Sequence, residues 1–191
     1  SFLEISKEGF LFRNFYSNSI QTNRAQEVIF CGIYNNIGKP LSLDLHKIPK
    51  NCLPKILRDN GYKTIYFRSD DLSFFNMGEF ASSVGFEEVH FDDIMREKDL
   101  KYKWGYEDST FYKRVFEYLE NNYPAEKKLF VYIEVSSHHF RFNHYLKENV
   151  PEGLPYPESK DFIEQYSNSV YVQDKALKTF HEYSVIALPS T

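Results

Sequence analysis

The sequence predicts an α/β domain built in layers, and three observations carry that expectation. Short runs rich in β-branched and aromatic residues alternate with stretches whose apolar residues recur every three or four positions, as helices laid on a sheet require. Leu129 to Val135 (LFVYIEV) is nearly continuous in apolarity, which suits a central strand buried on both faces. Aromatic residues make up 18% of the 191, with 18 Phe and 15 Tyr, a content that disordered chains lack. A chain of this length fits one domain with a substantial core, and residues 1–191 are read as such a unit.

Gly9 to Tyr16 (GFLFRNFY) alternates aromatic and polar residues and reads as a strand. Thr22 to Ile33 reads as a helix, with Ala25, Val28, Ile29 and Gly32 at helical spacing and Thr22 at the expected N-cap. Asn51 to Asp59 is a short helix stopped by Asn60-Gly61. Tyr62 to Arg68 reads as a strand, Asn76 to Ser83 as a helix, and Gly85 to Phe91 as extended chain. Asp108 is expected to cap a helix from Ser109 to Asn122, whose apolar face carries Phe111, Val115, Phe116 and Leu119. The strand at Leu129–Val135 follows. A Pro-rich loop at Gly153–Pro157 leads to a long helix from Asp161 to Glu182, and Ser184 to Leu188 is apolar enough for a last strand.

Composition excludes some functions. The net charge is −4, and the basic residues are interleaved with acids instead of forming a basic face, so no nucleic-acid partner is expected. Cys31 and Cys52 are too few for a disulfide framework and lack zinc-site spacing; a single bridge between them stays open. No apolar run reaches the roughly 18–20 residues that span a bilayer. The opening Ser1-Phe2-Leu3-Glu4 carries no leader pattern and reads as mid-domain sequence.

Two segments carry polar residues where α/β proteins place their sites. In Ser17 to Arg24 (SNSIQTNR), a Thr22 hydroxyl at a helix N-terminus would face unpaired N–H groups that favour an anion. Arg24 could hold the same anion with its guanidinium; the plainer alternative is a capping Thr22 and a solvated Arg24. In Ser136-Ser137-His138-His139, after the central strand, a histidine could bind a phosphoryl oxygen or metal, or act as acid or base; a structural loop histidine is the alternative. Ser69-Asp70-Asp71 and Asn76 are weaker candidates, with helix capping the rival role for the carboxylates. His46, His90, His144 and His181 show no ligand spacing, and Trp104 reads as a packing anchor.

At these same segments the chain resembles the sulfatase-type catalytic domains of the alkaline phosphatase superfamily, in the lipoteichoic-acid-synthase and phosphoglycerol-transferase branch. The blocks LEISKEGFLFRNFY (3–16), SIQTNRAQEVIFCG (19–32), Gly61–Thr64, Phe75–Met77, Gly85-Phe86, Trp104–Asp108, Ser136–His139 and YSNSVYVQDKALKTF (166–180) occur in that family's order. The resemblance implies a three-layer α/β/α domain, incomplete at both ends. It implies a Thr22 nucleophile bound to a divalent metal (Mn, Mg or Zn) that attacks a phosphodiester and forms a phospho-enzyme. His138 would bind the phosphoryl group or help the leaving oxygen depart, with Arg24, Asn76 and His139 as substrate contacts. Phospholipid or glycan head groups would be the substrates. The enzyme would be anchored to a membrane through a segment outside this chain, its catalytic part periplasmic or extracellular.

Some positions depart from the family pattern. The first acidic metal ligand would precede Ser1, and at Ser184–Pro189 no Asp-His pair follows the long helix. Thr22 is thus the one metal-site residue the resemblance transfers, and a polypeptide of this sequence alone is expected to be inactive. Where some relatives place a Trp and an Arg against the head group, this chain has Phe75 and Met77. A sulfatase, and a non-catalytic module binding anionic glycan or lipid head groups, remain as alternatives.

Overall fold

The computed structural model describes residues 1–34, 38–71, 73–142 and 150–187. Its centre is a parallel sheet of strands β1 (Lys63–Arg68), β2 (Glu88–His90) and β5 (Leu129–Glu134), in the order β2-β1-β5. Register pairs Ile65 with Glu88 on one side of β1 and with Val131 on the other. A two-stranded antiparallel ribbon, β3 (Lys101–Tyr102) and β4 (Gly105–Tyr106), sits apart from this sheet.

Side chains alternate across the sheet, and each face buries a different set of helices. Tyr66, Phe130 and Tyr132 meet Phe30 of α2 (Thr22–Cys31) and Phe80, Ala81 and Val84 of α4 (Met77–Val84). Their rings interlock: Phe30 meets Tyr132 edge-on at 4.8 Å, and Tyr66 stacks on Tyr132 at 5.4 Å. Ile65, Phe67, Val131 and Ile133 face the other way, onto Phe111 and Val115 of α5 (Asp108–Asn122). Each fully buried Phe or Ile contributes on the order of 1.5–3 kcal/mol. Against the outer side of α5 lies α6 (Phe162–Ala187), with Phe116 stacked on Tyr183 at 5.8 Å. Layers of helix, sheet and helix result, as the sequence implied.

Four expectations need correction. Gly9–Tyr16, which follows the short helix α1 (Phe2–Ile5), forms no strand; it is irregular with bends, and Phe10 is 96% exposed. No strand among the described residues pairs with it, so its alternation has neither a hydrogen-bonding partner nor a face to cover. The central strand is β1, buried from Thr64 to Arg68, whereas β5 is half-buried, because β1 alone has described strands on both sides. Ser184–Ala187 continues α6 in place of a strand, with Ser184 Oγ donating to the His181 carbonyl; Leu188 lies outside the described residues. Finally, Glu107 and not Asp108 caps α5, accepting from the amides of Ser109 and Thr110 at 3.1 and 2.7 Å. Among the described residues no helix is long and apolar enough to cross a membrane.

Cys31 at the end of α2 is disulfide-bonded to Cys52, which immediately precedes α3 (Leu53–Asp59). Closing a loop of that length restricts the unfolded chain, an effect worth about 3 kcal/mol. Reduction is therefore expected to lower the unfolding free energy by about that amount, measured by urea unfolding with and without a thiol reductant. An unchanged midpoint would contradict the role given to this bridge.

Candidate active site

Thr22 is the first residue of α2, and Gln21 holds the N-cap position with no side-chain capping bond. This corrects the expectation that Thr22 caps the helix. Its side chain is exposed, and its hydroxyl has no partner among the described residues, so capping does not consume it. The first backbone bond of the helix runs from Ala25 N–H to the Gln21 carbonyl, at 2.9 Å, and Arg24 N–H donates to Asn23 Oδ1 at 2.9 Å, which leaves the Thr22 and Asn23 amides directed out of the helix end. Thr22 opens onto a cleft of about 210 Å³ lined by Ile20, Gln21, Asn23, Arg68, Phe74, Phe75, Met77 and His139.

Arg68 closes β1, and its side chain is almost wholly buried. Its Nε donates to Asp70; Nη2 reaches Asp70 Oδ2 at 2.8 Å and Nη1 reaches Glu134 Oε1 at 3.0 Å. Glu134 ends β5 and also accepts from Tyr66 Oη at 2.7 Å and from Gln26 Nε2 at 2.5 Å. Gln26 stands one turn beyond Thr22 on α2, so this network ties that helix to the ends of both strands. Burial pushes the Glu134 carboxyl above its ordinary range, and Arg68 pulls against that shift.

Beyond Glu134 the chain enters the histidine loop. Asp108, buried at the start of α5, accepts from the Ser136 and Ser137 amides at 3.3 and 3.0 Å, and its own N–H donates to Ser137 Oγ. Ser136 Oγ lies 2.9 Å from Ser69 Oγ, which joins the loop to the chain after β1. Gly105 seats the ribbon here: at φ +151 a Cβ would lie 2.3 Å from the Ser69 carbonyl oxygen.

His138 Nδ1 lies 2.8 Å from Ser169 Oγ, whose one proton goes to the Tyr166 carbonyl at 2.7 Å. Nδ1–H must therefore be the donor, which leaves Nε2 as the lone-pair nitrogen of the neutral ring. Burial lowers the His138 pKa. His139 donates from Nδ1 to the Phe140 carbonyl at 2.7 Å, and its ring packs 4.4 Å from Trp104.

The structure thus brings Thr22 and His139 to one cleft, while His138 turns toward α6. Arg24 donates to Gln21 Oε1 and to the Gly38 carbonyl, and Asn76 Nδ2 donates to the Ser42 carbonyl. Asn76 lies between Phe75 and Met77, both on the cleft wall. Asp70 serves Arg68, and Asp71 caps the turn at Ser73. His90 sits between Glu88 and Asp93; His144 lies outside the described residues. Arg68, Gln26 and Glu134 escaped the sequence reading, although a lone carboxylate closing the apolar run LFVYIE was a usable signal.

A divalent cation needs several oxygen or nitrogen ligands. Among the described residues no group of three His, Cys, Asp or Glu could hold one, so these residues do not make up a cation site by themselves.

Burial pushes the Asp108 carboxyl from 3.8 up to about 6. A carboxyl that holds its proton more tightly when folded loses the folded state stability as pH rises between those two values. Across that window the loss is on the order of 3 kcal/mol. Asp108→Asn removes the titration and is expected to flatten this part of the stability curve relative to the unsubstituted chain. Urea unfolding at about pH 4 and about pH 7 checks this; identical pH dependence of the two proteins would contradict it.

Comparison with known proteins places this architecture. The lipoteichoic acid synthase LtaP from Listeria monocytogenes superposes with a TM-score of 0.78 at 23% identity, covering 92% of this chain and 43% of LtaP. A protein of the alkaline phosphatase superfamily from Vibrio parahaemolyticus gives 0.70 at 21%, covering 88% of this chain and 40% of its own. The C-terminal periplasmic domain of EcEptC from Escherichia coli, solved in complex with Zn, gives 0.50 at 17%, covering 78% of this chain and 45% of its own. At these identities the likeness is one of fold, and the chain spans less than half the length of each. No curated protein matches it significantly by sequence. The sulfatase family model matches residues 1–183, and the chain belongs to the sulfatase family.

Proposed function

We propose that the intact protein is a phosphoglycerol- or phosphoethanolamine-type transferase, or a related phosphodiesterase, acting on phospholipid or glycan head groups through Thr22. The observation that carries this reading is an exposed, unpartnered hydroxyl at the mouth of α2, opening onto a cleft that also holds a buried guanidinium. Thr22 Oγ1, its proton released to solvent, forms a bond to phosphorus as the bond from phosphorus to the leaving alcohol breaks. The amides at the start of α2 face the equatorial oxygens, where negative charge develops. His138 is proposed to help the leaving oxygen depart, a role that needs a second proton, on Nε2, and His139 borders the space for the head group. A water or an acceptor hydroxyl then resolves the phospho-enzyme.

The intact protein is proposed to use Mn, Mg or Zn, with Thr22 the residue described here that would touch it. The Cys31–Cys52 bridge supports a location outside the reducing cytoplasm. A periplasmic or extracellular catalytic part, held by a membrane segment outside these residues, accords with it.

Thr22→Ala in the intact protein is expected to lower kcat on a phosphodiester head group by at least about 10³-fold. Retained turnover would remove Thr22 as nucleophile. Turnover of sulfate esters with none of phosphodiesters would favour a sulfatase instead, and head-group binding with no turnover at all would favour a binding module.

A further inference from the structure

We propose that Arg68, and not Arg24, is the guanidinium that recognises the anionic group in the cleft, held in a fixed plane by Asp70 and Glu134. The inference rests on reading the cleft as a phosphoryl site. Arg24 spends Nε on Gln21 and Nη2 on the Gly38 carbonyl, which ties its guanidinium to the residue before α2 and to the loop after it. Arg68 is only 2% exposed, yet it lines the cleft together with Thr22.

The donor inventory favours an anion in front of Arg68. A guanidinium has five N–H groups, two of them on each terminal nitrogen. Asp70 takes Nε and one N–H of Nη2, and Glu134 takes Nη1. The second N–H of Nη2 has no partner among the described residues. The two carboxylates therefore fix the plane of the fork while leaving a donor for a ligand oxygen. Glu134 is itself fixed by Gln26 and Tyr66, so the fork cannot swing with its partner. Phe74 covers the guanidinium at 5.8 Å, and little water reaches it to compete. The chemical class that fits is a tetrahedral oxyanion such as a phosphoryl group, set between this N–H and the first amides of α2.

Lysine keeps the charge at this position but loses the fork. Inorganic phosphate would be titrated into the 191-residue chain and followed by ¹H–¹⁵N NMR. Saturable shifts are expected at the Thr22 and Asn23 amides and at Arg68 Nε. Arg68→Lys is expected to raise the phosphate Kd at least about tenfold, and Arg68→Gln to abolish saturation. If the Gln variant fails to fold by circular dichroism, the Lys variant and the Arg68 Nε resonance of the unsubstituted chain decide. An unchanged Kd in folded Arg68→Lys, or no phosphate-dependent shift at Arg68 Nε, overturns the proposal. Phosphate binding that depends on Arg68, found together with full turnover in Thr22→Ala, would sink the nucleophile and leave this inference standing.

Discussion

One buried carboxylate holds the cleft together. Glu134 ends an otherwise apolar strand and gathers three donors from two segments: Gln26 on α2, and Tyr66 and Arg68 on β1. A carboxylate placed in the interior without partners would cost several kcal/mol, so every donor it collects is needed. Gln26 is one turn from Thr22, Arg68 is at the cleft wall, and the histidine loop starts two residues after Glu134. The positions of the Thr22 hydroxyl, the guanidinium and the imidazoles therefore share one anchor. Breaking a buried pair of this kind by removing one partner typically costs about 3–5 kcal/mol. Such a change would move all three groups together.

Asp108 plays the corresponding part from the other face of the sheet. It reaches from the first turn of α5 to the Ser136 and Ser137 amides and fixes where the histidine loop leaves β5. The loop is then steered twice. His138 is turned to Ser169 on α6, and His139 is laid against Trp104, with its ring on the cleft. Two adjacent histidines consequently occupy different surroundings. The cleft wall is apolar at Phe75 and Met77. The one guanidinium on the cleft wall among the described residues is that of Arg68, at the end of β1.

Much of this was legible in the residues, and the failures have physical causes. Helical spacing located α2, α4 and α5, since local periodicity reports which face is buried. The strand YKTIYFR was evident, but its central place was not, because strand order depends on long-range pairing that alternation does not encode. GFLFRNFY has a strand's alternation without a described partner, and SVIA has a strand's composition at the end of a helix with nothing to break it. In the site, Thr22 stood out as a hydroxyl opening a helix. Arg68 did not, because a charged residue at a strand end usually reaches water; its burial follows only once Asp70 and Glu134 are brought beside it. Likewise the choice between Glu107 and Asp108 as cap was decided by the distant Ser136–Ser137 amides.

The proposed chemistry requires the Thr22 oxygen to take a phosphoryl group. Peptide mapping by mass spectrometry, on the intact protein quenched in acid during turnover of a phosphodiester substrate, addresses this directly. The expected result is one added phosphoryl group, confined to the peptide containing Thr22 and sited on that threonine. Turnover with no modified Thr22 at any quench time, or a phosphoryl group on another side chain, would contradict it.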